Sequence, residues 1–349
     1  MLKTTGKPDT LHPAPCTLQH SIKGLLLLLC QHPFDQKNRD TLSKLIGEIT
    51  DWSQLTNLIN DHGIIALAHH NITTAGLAEV IPPGILAVLE NGYLRSLVRN
   101  AWLTEHWKEV NAILSSAGIK HIVLKGMALE HTIYGSLGLR QMNDNDILLK
   151  REDAFRAWEL LQKEGFTSEA IKSGLHKKIL LDIGKHLPEL YKDGYSLEIH
   201  HKLTDDIIFE ETGSKDPFED AVEINIAGTK ALSLSNEKHL RYLISHFEKH
   251  KLEGNCQLRL YADILLLDKT SIISVPDHFI YNPKQEMKSD YRKAAFKETI
   301  RAIPVKHRIR FITGDIFPSL NWMKERYKCN GVRAMLYYPV RIAKLGWLM

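Results

Sequence analysis

The sequence contains no closely spaced pair of cysteines. Its four, Cys16, Cys30, Cys256 and Cys329, lie far apart among 349 residues. That spacing removes a zinc ribbon or a dithiol redox motif and leaves free thiols in a reducing compartment as the expected state. Long apolar runs are missing as well. Leu25 to Leu29 is apolar, but Lys23 precedes it and Gln31-His32-Pro33 follows. Five residues cannot span a bilayer, so the run reads as a buried helix segment. No signal-peptide pattern opens the chain, and a cytoplasmic protein is expected. Nor is there an internal repeat, a low-complexity tract or a large net charge. The formal charge is +4, from 45 basic and 41 acidic residues. This balance does not decide for or against nucleic acid, because affinity for phosphate follows clustered charge rather than the sum. What remains is an ordinary globular composition, 44% apolar and 25% charged, on a chain long enough for two or three domains.

The hydrophobic period divides the chain into three stretches. Residues 1–103 open with a loose, Pro-containing leader and then read as helices. Apolar residues recur at helical spacing over 40–46, and again over 52–59 behind the cap Asp51. Pro82-Pro83-Gly84 suits the start of a helix over 84–97, and a second helix is expected over 100–117, ended by Gly118. Across 104–232 the pattern changes. His121 to Lys125 is a short β-branched run closed by Gly126, followed by a helix over 128–134 and a strand over 146–149. A helix over 152–164 with Gly165 as its cap and a strand over 195–200 complete a small α/β core with a mixed sheet. Over 233–349 the helical period returns, with amphipathic segments from Ser235, over 258–267 and over 291–300. The fold class expected is α+β, with helical regions on both sides of the core.

The chemistry concentrates in Leu124 to Leu149, LKGMALEHTIYGSLGLRQMNDNDILL. Asp144 and Asp146 sit two residues apart at the start of an apolar strand, so both carboxylates leave the same face at one edge of the sheet. Two carboxylates held that close repel unless a cation lies between them. A hard divalent ion such as Mg²⁺ resolves the repulsion and also binds nucleotide phosphates. Glu198, inside the later strand Leu197-Glu198-Ile199-His200, is the natural third acid of a two-metal site. There it would ligate the second ion or accept the proton of an attacking hydroxyl. Lys125-Gly126 closes the first strand where a helix N-terminus could meet a phosphate, and Arg140 could neutralise a triphosphate. An Asp-x-Asp alone is ordinary surface sequence, and Lys-Gly after a strand is ordinary turn chemistry. Only their order along the chain gives the pattern weight.

These residues carry a resemblance. Val123-Leu124-Lys125-Gly126 through Tyr134, then Gly138-Leu139-Arg140, Asp144-x-Asp146-Ile147-Leu148-Leu149 and Leu197-Glu198-Ile199-His200, resemble a family of uncharacterised bacterial nucleotidyltransferases. That family belongs to the DNA polymerase beta-like superfamily. The likeness is sharpest over 120–205 and continues through Leu232-Ser233-Leu234-Ser235, His239-Leu240-Arg241 and Leu258-Arg259-Leu260-Tyr261-Ala262-Asp263. It implies transfer of a nucleoside monophosphate from an NTP, ATP being the first choice, with two Mg²⁺ ions and release of pyrophosphate. The metal-ligand role falls on Asp144, Asp146 and Glu198, and the implied acceptor is a small molecule, sugar or peptide. The chain departs from the superfamily in having Lys125-Gly126 where a Gly-Ser pair is usual, and in a longer spacing from Gly126 to Asp144.

Other residues have two readings each. His200 alternates with Glu198 and shares its strand face, as a second-shell or a structural residue. His246 and His250 stand one helical turn apart, a zinc-compatible spacing, but without a third ligand a solvated helix face is expected. Arg259 and Asp263, at i and i+4, read first as an intrahelical ion pair worth about 0.3 kcal/mol. Their alternative is a helix that closes over the cleft and offers them to nucleotide or acceptor. The basic, aromatic tail with Arg333, Tyr337, Tyr338, Arg341 and Lys344 reads as a packed terminal helix rather than a nucleic-acid arm. The leading expectation is an enzyme. Its rivals are a nucleotide-binding regulatory or docking protein that has lost turnover, which would not need three converging acids, and a nucleic-acid-binding helical protein, which scattered Lys and Arg support poorly.

Overall fold

In the computed structural model, residues 15–182, 184–203, 216–252, 254–271, 273–283, 300–301 and 303–348 are described. Five helices come first: α1 (Pro15–Leu29), α2 (Gln36–Gly47), α3 (Trp52–Asp61), α4 (Ile65–Thr74) and α5 (Pro83–Ser116). The Asp35 and Asp51 carboxylates accept from the N–H groups of Asn38 and Gln54, which caps α2 and α3. The expected Leader 1–14 and the helix over 291–299 lie outside the described residues. Two helices were expected where α5 runs unbroken for 34 residues. Nothing between Leu97 and Asn100 interrupts the backbone, and Asn100 does not cap a new helix. It is buried instead, and its side chain donates to Glu130 Oε2 at 2.5 Å and to the Arg140 carbonyl at 2.7 Å.

Seven strands form one mixed sheet: β1 (His121–Val123), β2 (Asn145–Leu149), β3 (Thr167–Ser168), β4 (Leu190–Lys192), β5 (Tyr195–His200), β6 (Val222–Ile226) and β7 (Thr229–Ser233). Their order is β3-β4-β5-β2-β1-β7-β6. The architecture is α+β, as the sequence predicts, with β1, β2 and β5 at its centre. Four strands go beyond that prediction. β6 and β7 form a hairpin whose turn, Ala227-Gly228, has positive φ at both residues, the conformation that matches strand twist. Alternation in Val222, Ile224 and Ile226 on one side of an Ala-Gly pair is the signal that could have found it.

Between the strands lie α6 (Lys125–Leu129), which continues into a π-turn over Glu130–Tyr134, and then α7 (Arg151–Lys163) and α8 (Gly174–Ile179). After the sheet come α9 (Asn236–Leu252), α10 (Leu258–Leu267), α11 (Asp277–Tyr281), α12 (Val305–Ile316), α13 (Leu320–Tyr327) and α14 (Tyr337–Leu348). One sheet face buries Val123, Ile147, Leu149 and Ile199 against Trp107 and Leu114 of α5 and Trp158 and Leu161 of α7. The other turns Ile122, Leu124 and Leu148 towards Tyr242 of α9. A further core joins α1 to α4 with α10 and α11, so the helices before and after the sheet share one interior that includes Leu25, Leu26 and Leu29. Among the described residues no helix is long and apolar enough to cross a membrane. The tail packs as expected: Tyr327 stacks on Tyr337 at 4.3 Å, and the Arg341 guanidinium lies 4.5 Å from the Trp322 ring centre while its Nε donates to the Asp315 carbonyl.

Candidate active site

The site grows from the register of two parallel strands. β2 and β5 pair so that Asp146 stands directly opposite Glu198, with Asn145 opposite Leu197 and Leu148 opposite His200. Side chains alternate along a strand, so Asn145 points the other way. It is buried there, with its amide donating to the Tyr195 hydroxyl at 2.9 Å and the Leu103 carbonyl at 3.2 Å. That anchor fixes the rotation of the strand and turns Asp144 and Asp146 together into a cleft of about 390 Å³. Two other cavities are of similar size, so volume does not single this one out. Its lining does: Asp144, Asp146 and Glu198 share it with Lys125, Lys185, Lys249 and Arg259.

Asp146 is the hub. Its Oδ1 accepts from Lys125 Nζ at 2.7 Å and lies 2.8 Å from His200 Nε2, which is also 3.2 Å from Glu198 Oε2. One ligand atom from each of Asp146, Glu198 and His200 lies within 4.8 Å of the others, a group able to hold a metal ion. Burial alone would raise the Asp146 pKa, but Lys125 and His200 bring its carboxyl well below the usual range. Burial likewise opposes ionisation of Glu198, and the hydrogen bond from His200 overcomes it. Asp144 goes the other way. Its carboxyl is reached by solvent at the cleft mouth yet crowded by protein, and burial and then the Asp146 charge push it up to about 6. For Lys125, burial favours the neutral amine, and the charges of Asp146 and Glu198 outweigh it, so the ammonium persists. Lys125 has φ +44°, a left-handed residue held by its side chain's grip on Asp146. Gly126 follows because nothing larger fits: a methyl group there would collide with the Arg140 guanidinium and with Met142 Sδ.

Arg140 lines the cleft, and its guanidinium is also engaged within the protein. It is buried, and it makes a two-pronged ion pair with Asp263, Nε to Oδ1 at 2.9 Å and Nη2 to Oδ2 at 2.7 Å. The Tyr134 hydroxyl donates to the same carboxylate at 2.8 Å. Asp263 therefore pairs across the fold rather than with Arg259 along its helix. The expected i, i+4 pair is replaced because Arg140 offers two aligned donors to the fully buried carboxylate. Arg259 faces the cleft and donates from Nη1 to the Gln141 carbonyl at 2.8 Å. His246 and His250 also differ from expectation. They do not lie on a solvated helix face but line the cleft half-buried, with Nε2 atoms 3.2 Å apart. Burial and the nearby Lys125 charge hold both rings neutral, His250 at about 4. Sequence reasoning missed Lys185, His186 and Lys249 altogether. Lys249 shares a face of α9 with His246 and His250, spacing that was there to be read, whereas Lys185-His186 sits in an irregular loop without periodicity.

Behind the cleft, the buried Glu130 accepts from the Gly138 N–H and from Asn100. Burial pushes its pKa up from 4.5 to about 7. A raised carboxyl holds its proton more tightly in the folded chain than in the unfolded one, so stability is fully present below about pH 4.5 and declines as pH rises to about 7. Glu130→Gln is therefore expected to match wild type near pH 5 and to exceed it above pH 7.5, by on the order of 3 kcal/mol in urea unfolding. Parallel curves for the two proteins across this range would remove Glu130 as the source.

Residues 48–271 match the family described as an uncharacterised nucleotidyltransferase. The chain belongs to that family. The match takes in every residue of the cleft described above, including those on α9 and α10. No curated protein and no solved structure matches the chain. The acidic group of this nucleotidyltransferase, with the histidine set among its carboxylates, fits a metal-binding catalytic site.

Proposed function

We propose that the protein moves a nucleoside monophosphate from an NTP, ATP first among them, to a hydroxyl-bearing small-molecule, sugar or peptide acceptor and releases pyrophosphate. The observation that carries this reading is the convergence of Asp144, Asp146 and Glu198 on a cleft that Lys185, Lys249 and Arg259 also line. Asp146 and Glu198 would hold a divalent cation, and Asp144, at the mouth, would share a second with the nucleotide phosphates. Bound there, such ions would neutralise phosphate charge and acidify the acceptor hydroxyl. The chain's own groups then have distinct tasks. Lys185, Lys249 and Arg259 are placed to bind the outer phosphates and the departing pyrophosphate. Lys125 balances the charge of Asp146 and, as a nucleotide enters, can pass its own charge to a phosphate oxygen. Glu198, whose carboxyl is kept ionised, would serve as that cation's ligand or take the proton from the acceptor hydroxyl. His246 and His250, neutral and half-buried, line the acceptor's approach without adding charge.

The test is a titration of all four NTPs with and without Mg²⁺, on wild type and on Asp144→Ala/Asp146→Ala. Cation-dependent binding of one NTP, lost in the double variant, is expected and names the donor for an acceptor screen. Equal binding by both proteins, or none with any NTP, would overturn the proposal.

A further inference from the structure

We propose that His200 is itself a metal ligand. With Asp146 and Glu198 it forms a site of two carboxylates and one imidazole that takes Mn²⁺ and related transition ions in preference to Mg²⁺. This deepens the reading of the cleft as a cation-dependent nucleotidyltransferase centre and rests on it.

Two distances carry the argument. His200 Nε2 is 2.8 Å from Asp146 Oδ1 and 3.2 Å from Glu198 Oε2. Donor atoms sharing one divalent ion, each about 2.0–2.2 Å from it, stand roughly 3 Å apart. The imidazole nitrogen thus already stands at ligand-set spacing from both carboxylates, and all three donor atoms lie within 4.8 Å of one another. None of them is on a loop: Asp146 and Glu198 are paired in the parallel register, and His200 lies two residues beyond Glu198 on the same face. The ring is fully buried and cannot swing into solvent. Among the described residues its Nδ1 has no hydrogen-bond partner, so either tautomer leaves that atom unpaired by them. No partner on the far side of the ring fixes the proton on Nε2, and the lone pair can turn inward when a cation arrives.

Donor chemistry then sets the preference. Mg²⁺ favours oxygen ligands in a near-octahedral shell and gives up water reluctantly, whereas imidazole nitrogen suits first-row transition ions. Mn²⁺ accepts both carboxylate and imidazole. Three oxygens would leave the choice to Mg²⁺, and one buried nitrogen changes it.

The experiment is pulsed electron paramagnetic resonance on the full-length, metal-stripped protein loaded with Mn²⁺, prepared with natural-abundance and with ¹⁵N-labelled histidine. Wild type is expected to show the coupling of a directly bound imidazole nitrogen, altered by the label. His200→Gln is expected to lose it, and His246→Gln and His250→Gln to keep it. In competition titrations the Mn²⁺ over Mg²⁺ preference should fall about tenfold in His200→Gln. Bound Mn²⁺ without a nitrogen coupling in wild type would overturn the inference while leaving an all-oxygen cation centre intact. That measurement requires no variant to fold. A coupling that survives in His200→Gln and disappears in His246→Gln or His250→Gln would also overturn it, by assigning the ligand to another ring. Failure of wild type to bind either ion, with or without NTP, would overturn the centre itself and this inference with it.

Discussion

Asp263→Ala is expected to lower stability by about 3–5 kcal/mol, the largest loss from any single side chain around the cleft. Asp263 is fully buried and accepts three hydrogen bonds, two from Arg140 and one from Tyr134. Removing it leaves the Arg140 guanidinium, itself only 6% exposed, without its hydrogen-bonded counter-charge at the inner wall of the cleft. The cost is that of an uncompensated buried charge, which exceeds the net worth of the pair. Arg140→Met/Asp263→Leu should therefore recover most of the loss, since neither half is left unpaired. Because the pair ties α10 to the segment leading into Asp144, the single variant should also weaken NTP binding. Urea unfolding of the two variants beside wild type decides the matter. A single variant that costs less than about 1 kcal/mol would show that the pair is open to water in solution.

The second large effect separates two acids that look equivalent on paper. Asp146→Ala is expected to abolish cation-dependent NTP binding and to destabilise the metal-free protein by about 2–4 kcal/mol. Lys125 Nζ and His200 Nε2 both rest on the Asp146 carboxylate, and Lys125 is only 12% exposed, so its ammonium would lose its main partner. Asp144→Ala should also abolish the binding while leaving the metal-free protein as stable as wild type or more so. Burial and the Asp146 charge already oppose ionisation of Asp144. With a pKa raised to about 6, its contribution to stability falls as pH rises from 3.8 to about 6, so the gain on removing it should appear above that range. Thermal unfolding of the two variants at pH 7.5 without added metal tests the contrast. Equal destabilisation by both would mean that Asp144 shares the cation partners of Asp146.

Much of the site could be read from sequence because it depends on short-range rules. Alternation along a strand puts Glu198 and His200 on one face, and Asp144, one residue before β2, joins Asp146 at the cleft. A β-branched run ended by Lys125-Gly126 marks the turn that begins α6. Where the reading failed, a distant residue had changed the outcome. The break expected near Asn100 does not occur because Asn100 is claimed by Glu130 and the Arg140 carbonyl, residues 30 and 40 positions away. The ion pair along α10 expected of Asp263 is likewise replaced by one with Arg140, 123 positions away.

The sequence by itself determined the α+β class, the helical caps at Asp51 and Gly165, the packed terminal helix and the order of the acids along the chain. Each follows from backbone geometry and hydrophobic period within a few residues. Only the tertiary structure decided that Asp146 faces Glu198 across a parallel pair, that His246 and His250 turn into the cleft rather than to solvent, and that Lys125 rests on Asp146. Register, helix rotation and ion pairing between distant segments are settled by packing against the whole interior, and no local pattern encodes them.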